Sequence, residues 1–390
     1  MNRLLFALLL LAAACASSCD RRARQACRMT DEYVVATLPR PPDALSLVPT
    51  GPRRLLLTYS TVDGTFMRRI DANGAAVSDI RRIEEKRNGA GQPDKSFWPE
   101  GHRIGAVHIA TAVSDKGTIA QCLILPDGPD GHVAAIAFVD ASTLDTVRIV
   151  SLGAVLNRSL ACAFHHRSLF VARETPSGID IVRLSTTFEI RATRHLADGH
   201  PRHPALLTAG DRIHFVWSRT AGTRRDLVTA ILDDQLTFRR GVRIDRHEMD
   251  DPAPFLSTVD THPALVFRDD RDDDGLAEFY FTRFDSDGAP AFAPVRISRA
   301  DGPDGPSLSA GRRFLYSAAV RSYRGNYLVG FNHFDRRGTK QGGEFQVYAD
   351  KCDFTRTALH ADDDHVLLVY AEDNGETGRI LSATVNCQPD

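Results

Sequence analysis

The densest run of ionisable side chains is "RDDRDDDGLAEF", Arg268 to Phe279. Asp270, Asp272 and Asp274 stand at alternate positions before Gly275, and Glu278 follows. Hard cations such as calcium take several oxygen ligands from a tightly curled loop, and aspartates alternating ahead of a glycine can supply them; a solvated acidic hairpin tip has the same composition. A full EF-hand is excluded, because Phe281 occupies the position that needs Glu. Calcium is the only cofactor the sequence suggests, and none is required. Arg219, Arg268 and Arg321 each fall near the end of a β-rich run. Brought around one opening they could grip carboxylate or phosphate groups bidentately; otherwise each pairs with an acidic group in its own unit. Phe97 and Trp98 lie in a long polar stretch, Glu84 to Arg103, where an aromatic pair either caps a binding site or anchors its loop. The adjacent His165 and His166 would point to opposite faces of a strand, so they are expected to flank a turn. The sequence has no "HExxH", no "GxSxG" and no phosphate loop, and no catalytic residue is named.

The elements that must position these residues are strands. Short runs such as "RLLLTYS", "RIHFVWS", "EFYFTRF" and "HVLLVYA" are rich in β-branched and aromatic residues and are bounded by Gly, Asp, Asn and Pro. Three of them end alike: "MRRIDANGAA", "FTRFDSDGAP" and "FNHFDRRGTK". Asp71 with Gly74, Asp285 with Gly288, and Asp335 with Gly338 have the spacing of a type I turn between two strands, which makes the Asp a structural residue. With this phrase as a ruler, anchors fall at Asp71, Asp140, Ser185, Asp233, Asp285, Asp335 and Asn386. Five of the six intervals lie between 45 and 52 residues, and the first, 69, is longer by about the length of the polar stretch. A four-stranded unit repeating at this period is a β-propeller blade.

The expected fold is therefore an all-β, seven-bladed β-propeller over residues 32–390, with blades near 43–83, 104–151, 156–197, 203–246, 251–299, 305–349 and 352–388, and an insert at 84–103. The last unit has room for three strands only. "EYVVATL", Glu32 to Leu38, would supply the fourth and seal the ring, leaving no open sheet edge. That fit places Cys27 beside Cys387, where a crosslink would close most of the chain; Cys352 is the rival partner of Cys387. Cys122 and Cys162 fall on adjacent units, either as a second disulfide or as two buried thiols.

The units resemble those of bacterial secreted repeat propellers, through "VFRDDR", "FYFTRFDSDG" and "PVRIS" in the fifth unit and weaker versions elsewhere. The resemblance implies a propeller and little about its ligand. The calcium-type spacing is similar to the loops of integrin-like propellers, though here it joins the second and third strands. The resemblance to sialidases is distant, since the Thr-Trp after the Gly of their Asp-box is missing. It implies that Arg219, Arg268 and Arg321 would face an acidic sugar.

The chain opens "MNRLLFALLLLAAACASSC", a basic residue, an apolar block and small residues, which is the layout of a secretory signal over residues 1–14. "LAAAC" resembles a bacterial lipobox, which implies lipidation of Cys15 and a tether over residues 15–31; Cys19 is a second candidate, and a plain cleaved signal is the alternative. Composition is that of an ordinary globular chain, 43% hydrophobic and 25% charged. A formal charge of -2 argues against nucleic acid as a partner. The expectation is an extracytoplasmic, membrane-anchored module that binds an envelope protein or polysaccharide without catalysis. The alternative is a sialidase-type hydrolase or lyase acting on acidic sugars.

Overall fold

The structure, a computed structural model, describes residues 27–84, 106–127, 131–156, 159–221, 224–245, 254–259, 262–269, 278–285, 287–299, 307–311, 314–323, 326–348, 353–362 and 365–387. Every regular element among them is a β-strand. β1 (Cys27–Leu38) opens the chain. Blade 1 follows with β2 (Ala44–Gly51), β3 (Arg54–Thr61), β4 (Gly64–Asp71) and β5 (Arg81–Arg82). Blade 2 is β6 (His108–Val113), β7 (Thr118–Asp127), β8 (Gly131–Asp140) and β9 (Thr146–Val155). Blade 3 is β10 (Leu160–His165), β11 (Ser168–Thr175), β12 (Gly178–Leu184) and β13 (Ile190–Leu196). Blade 4 is β14 (Arg202–Ala209), β15 (Arg212–Ala221), β16 (Arg224–Leu232) and β17 (Phe238–Asp245). Blade 5 is β18 (Phe255–Val259), β19 (His262–Asp269), β20 (Glu278–Arg283) and β21 (Val295–Arg299). Blade 6 is β22 (Ser307–Ala310), β23 (Leu315–Tyr323), β24 (Asn326–Phe334) and β25 (Phe345–Val347). Blade 7 is β26 (Asp353–Asp362), β27 (His365–Asp373), β28 (Gly378–Cys387) and, as its outermost strand, β1.

Each blade is an antiparallel meander, and the innermost strands touch in a closed circle: β2 to β6, β10, β14, β18, β22, β26 and back to β2. This is a seven-bladed β-propeller. Its core is divided in the same way, with one apolar cluster between each pair of neighbouring blades. Between blades 3 and 4, for example, Phe170, Phe215 and Trp217 pack together, which places Trp217 in the core as its setting in "HFVWS" suggests. The middle strands are buried on both faces because a blade is covered on each side by its neighbours, so they read as apolar runs rather than as alternation.

The recurring aspartate is a turn residue. The Oδ1 atoms of Asp71, Asp285 and Asp335 each accept two backbone N–H groups at 2.8–2.9 Å, and their carbonyls accept from Gly74, Gly288 and Gly338. Those glycines have φ of 93°, 79° and 81°, the left-handed region that glycine enters without a Cβ clash. Asp140, Ser185 and Asp233 serve the same turn in blades 2, 3 and 4, where the left-handed position falls to Leu144, Phe188 and Leu236. All three of those side chains are drawn into apolar contacts, and Leu144 and Leu236 are almost fully buried. That burial offsets a backbone strain of the order of 1 kcal/mol. Asn386 is the exception among the anchors: it lies on β28 opposite Arg28, and the blade's last strand comes from the other end of the chain.

Closure differs from expectation in extent. β1 starts at Cys27, inside the stretch expected to be tether, and pairs with β28 from Cys27↔Cys387 to Leu38↔Gly378, so the seam is longer than Glu32 to Leu38. Cys27 and Cys387 are bonded, as the strand fit requires, in preference to the rival pairing with Cys352. Blade 2 also runs past its expected edge at 151. A bulge at Leu152, next to Gly153 with φ of 84°, lets β9 bend and continue to Val155.

Candidate functional site

In a meander of four strands the turns joining the second and third strands emerge on one face of the ring, and the other two turns emerge on the opposite face. Arg219, Arg268 and Arg321 lie on β15, β19 and β23 near the first of these faces, as the repeat predicts. Arg219 and Arg321 each lie beside an acidic group of their own blade. Arg219 Nε is 3.9 Å from Asp226 on β16, whose other oxygen accepts from Arg243 on β17. Arg321 Nη2 is 2.6 Å from Glu344, which also takes the Asn332 amide at 3.4 Å. Arg268 is half-buried beside Asp269, and Asp269 sits opposite Glu278.

The same construction recurs in blades 3, 5 and 7. In blade 3, Arg173 is the counterpart of Arg219 and donates to Asp180 at 2.8 Å; His195 Nδ1 contacts the other oxygen at 2.7 Å. In blade 5, Glu278 accepts from Arg296 at 2.8 Å and from the Tyr280 hydroxyl at 3.0 Å; in blade 7, Glu372 pairs with Arg379. The carboxylates Glu174, Asp226, Glu278 and Glu372 are all buried. Such a carboxylate needs a charge-assisted partner close by, and a base on the neighbouring strand is the nearest available source. In blades 3 and 4 the acid follows its Arg by seven residues, Arg173 to Asp180 and Arg219 to Asp226, but a chain with 50 acidic residues hides that spacing.

Of the calcium set, Glu278 has both oxygens engaged, by Arg296 and Tyr280. Asp270, Asp272 and Asp274 lie outside the described residues, as do Phe97, Trp98 and Cys15.

The opposite face carries a groove of about 500 Å³ between blades 3 and 4, reaching the edge of blade 5. His165 at the end of β10 and His166 in the following turn form one wall, with ring centroids 4.0 Å apart. His166 has φ of 51°, and this left-handed turn swings its ring back against its neighbour instead of to the far side of the strand. Asp211 and Arg212 come from the β14–β15 turn, Asp234 and Gln235 from the β16–β17 turn, and Asp287 from the β20–β21 turn. His165 is 7% exposed, with Nε2 3.9 Å from Asp234. Its pKa is held below the usual imidazole value by burial first and by His166 second, against the pull of Asp234 and Asp211. A neutral imidazole beside carboxylates offers one donor and several acceptors, which suits hydroxyl- or amine-bearing ligands. The volume lies within the range of small-molecule sites. A smaller groove of about 210 Å³ on the same face, between blades 7 and 1, is lined by His360, Asp362, His365 and Arg53.

Among the described residues Cys27, His333 and Cys387 are close enough together to hold a metal ion, with ligand atoms within 4.8 Å of one another. Metal binding by cysteine uses thiolates, and here the two sulfurs are bonded to each other, with His333 Nδ1 3.6 Å from Cys27 Sγ. Of the two states open to Cys122 and Cys162, a second disulfide or two thiols, the structure has two free thiols. Cys162 Sγ is directed to the Ala110 carbonyl at 3.5 Å, and Cys122 is sealed from solvent.

No protein-family model matches the chain, and no curated protein matches it. Among solved structures it is similar to the β-propeller domain of Cps50 (Swd1) from Myceliophteria thermophila, with a TM-score of 0.50 and 11% identity over 90% of this chain and 99% of that one. It is similar to a prolyl endopeptidase, also at 0.50 and 11%, over 88% of this chain and 47% of that one. Polysaccharide lyase Uly1 follows at 0.49 and 12%, over 91% and 92%. At these identities the likeness is one of fold, and the fold is the propeller.

Proposed function

We propose that this chain is an exported, lipid-anchored β-propeller that acts as a non-enzymatic binding or assembly module of the bacterial cell envelope, taking its ligand in the groove between blades 3 and 4. The observation that carries the reading is the contrast between the two faces. Arg321, which a sialidase-type site would direct at an acidic sugar, is bound by Glu344 of its own blade, and Arg219 lies 3.9 Å from the buried Asp226. The groove of the other face is open and polar, and its walls come from three blades, so a ligand there reads the assembled ring. Export is supported by the signal-like opening of the chain and by the Cys27–Cys387 disulfide, a bond that persists in oxidising compartments. The lipid anchor rests on the lipobox-like "LAAAC".

The test is capture from detergent-solubilised envelope and from purified envelope polysaccharide, comparing the wild-type chain with Asp211→Asn/Asp234→Asn. The reading expects a component enriched by the wild type and lost by the double variant, which leaves folding intact because both residues sit in exposed turns. Retention of the same component by the variant would refute the groove. Turnover of an acidic sugar that Arg219→Ala or Arg321→Ala abolishes would establish the sialidase-type alternative.

A further inference from the structure

Cys122 and Cys162 come from different blades yet share one apolar layer. Cys122 lies on β7, where its cross-strand partner is Ala110 of β6. Cys162 lies on β10 and directs its sulfur to the carbonyl of that same Ala110, at 3.5 Å. Both belong to the cluster between blades 2 and 3, so their side chains face each other across the interface. Burial and the neighbouring Cys162 thiol together raise the Cys122 pKa well above that of a free cysteine. The two sulfurs differ in access. Cys122 is 0% exposed, whereas Cys162 is half-buried on an innermost strand, on the wall of the central channel.

We propose that Cys122 and Cys162 form a thiol–disulfide exchange site in which a low-molecular-weight disulfide entering by the channel is reduced and the two blades become covalently linked. In the first step the Cys162 thiol loses its proton to water and the thiolate attacks one sulfur of the incoming disulfide. The S–S bond of that molecule breaks, one thiolate leaves, and Cys162 carries the other half as a mixed disulfide. In the second step Cys122 gives up its proton and attacks Cys162 Sγ, expelling the remaining half as a second thiolate. The protein loses two electrons and two protons, and the small disulfide gains them as two thiols. The order follows from access: an external disulfide reaches Cys162 directly, while Cys122 meets only a sulfur already attached to Cys162. The high pKa of Cys122 slows the second step but does not bar it, because Cys162 packs against the same apolar layer.

The experiment uses the full folded chain with Cys27–Cys387 intact, incubated with oxidised glutathione at mildly alkaline pH, quenched with acid and mapped as non-reduced peptides by mass spectrometry. The expected product is a Cys122–Cys162 peptide with the loss of two hydrogens and no retained glutathione, alongside an unchanged Cys27–Cys387 peptide. Cys122→Ser is expected to stop at one glutathione on Cys162, and Cys162→Ser to take up none while folded. Wild-type protein that stops at the Cys162 adduct, or leaves both thiols unmodified until denatured, overturns the proposal. The wild-type map decides the matter even if either variant folds poorly.

Discussion

Removal of the Cys27–Cys387 bond is the most informative perturbation of the closure. The bond joins residues 360 apart in sequence, so in the unfolded chain it closes nearly the whole polypeptide into one loop. The chain-entropy relation gives about 6 kcal/mol for a loop of that length, and this is a ceiling, since measured values for native disulfides run at about 2–5 kcal/mol. The folded side changes little: β1 and β28 keep nine partner pairs in register without the bond, and Cys27→Ala/Cys387→Ala removes only two small sulfur atoms from the apolar layer between blades 6 and 7. Urea unfolding of the oxidised protein and of the double alanine variant should therefore differ by roughly 2–6 kcal/mol, with the variant less stable and the slope steeper because its unfolded chain is more extended. Hydrogen exchange should show β1 losing protection before any other strand of blade 7. Coincident midpoints would refute the reasoning, as would loss of the whole propeller signal in the variant under native conditions, because the seam would then depend on the bond and not on strand pairing.

Two further predictions concern His214 and the turn glycines. His214 is 2% exposed, stacks on Phe284, and has its pKa lowered to about 4 by burial first and by Arg212 second. Its folded pKa lies below the unfolded value near 6.5, so the unfolded chain binds the extra proton first; the stability is whole above pH 6.5 and is lost as pH falls toward 4, by an amount of the order of 3 kcal/mol. His214→Phe should remove that share of the acid sensitivity in urea midpoints taken on either side of this window, and an identical loss in wild type and variant would contradict the assignment. At Gly74 an added Cβ would lie 2.5 Å from Ser382 Oγ and 2.9 Å from Leu367, at φ of 93°, whereas at Gly210, φ 57°, it would meet nothing within 4 Å. Gly74→Ala should cost about 2–3 kcal/mol and Gly210→Ala about 1 kcal/mol, and equal melting temperatures would show that the seam between blades 1 and 7 yields more than its packing implies.

The fold was legible because the repeat is written in residues that turns demand. Asp at the anchor and Gly three positions later are required by hydrogen-bonding and φ, so they survive where strand composition drifts. Blades 2, 3 and 4 were harder, since Leu144, Phe188 and Leu236 hold the left-handed position and no sequence rule assigns an apolar side chain to it. The seam was legible from arithmetic, three strands in the last unit and one unpaired segment before the first. The sites were less so. The position of Arg219, Arg268 and Arg321 followed from the period, but their partners did not: register sets Asp226 opposite Arg219, whereas Glu344 reaches Arg321 from beyond β24, just ahead of β25. The groove was not legible at all: His165, Asp211, Asp234 and Asp287 come from four turns in three blades, and only the closed ring brings them together.

The functional reading turns on the arginines of the first face serving their own blades and not holding ligand. Arg321→Gln tests it most directly, with urea stability and acidic-sugar binding measured on the same preparation. The expected loss is about 1–2 kcal/mol, because Glu344 loses its guanidinium but keeps the Asn332 and Gln346 amides, with no change in the affinity for acidic sugar. A variant as stable as the wild type that no longer binds or turns over an acidic sugar the wild type accepts would contradict it.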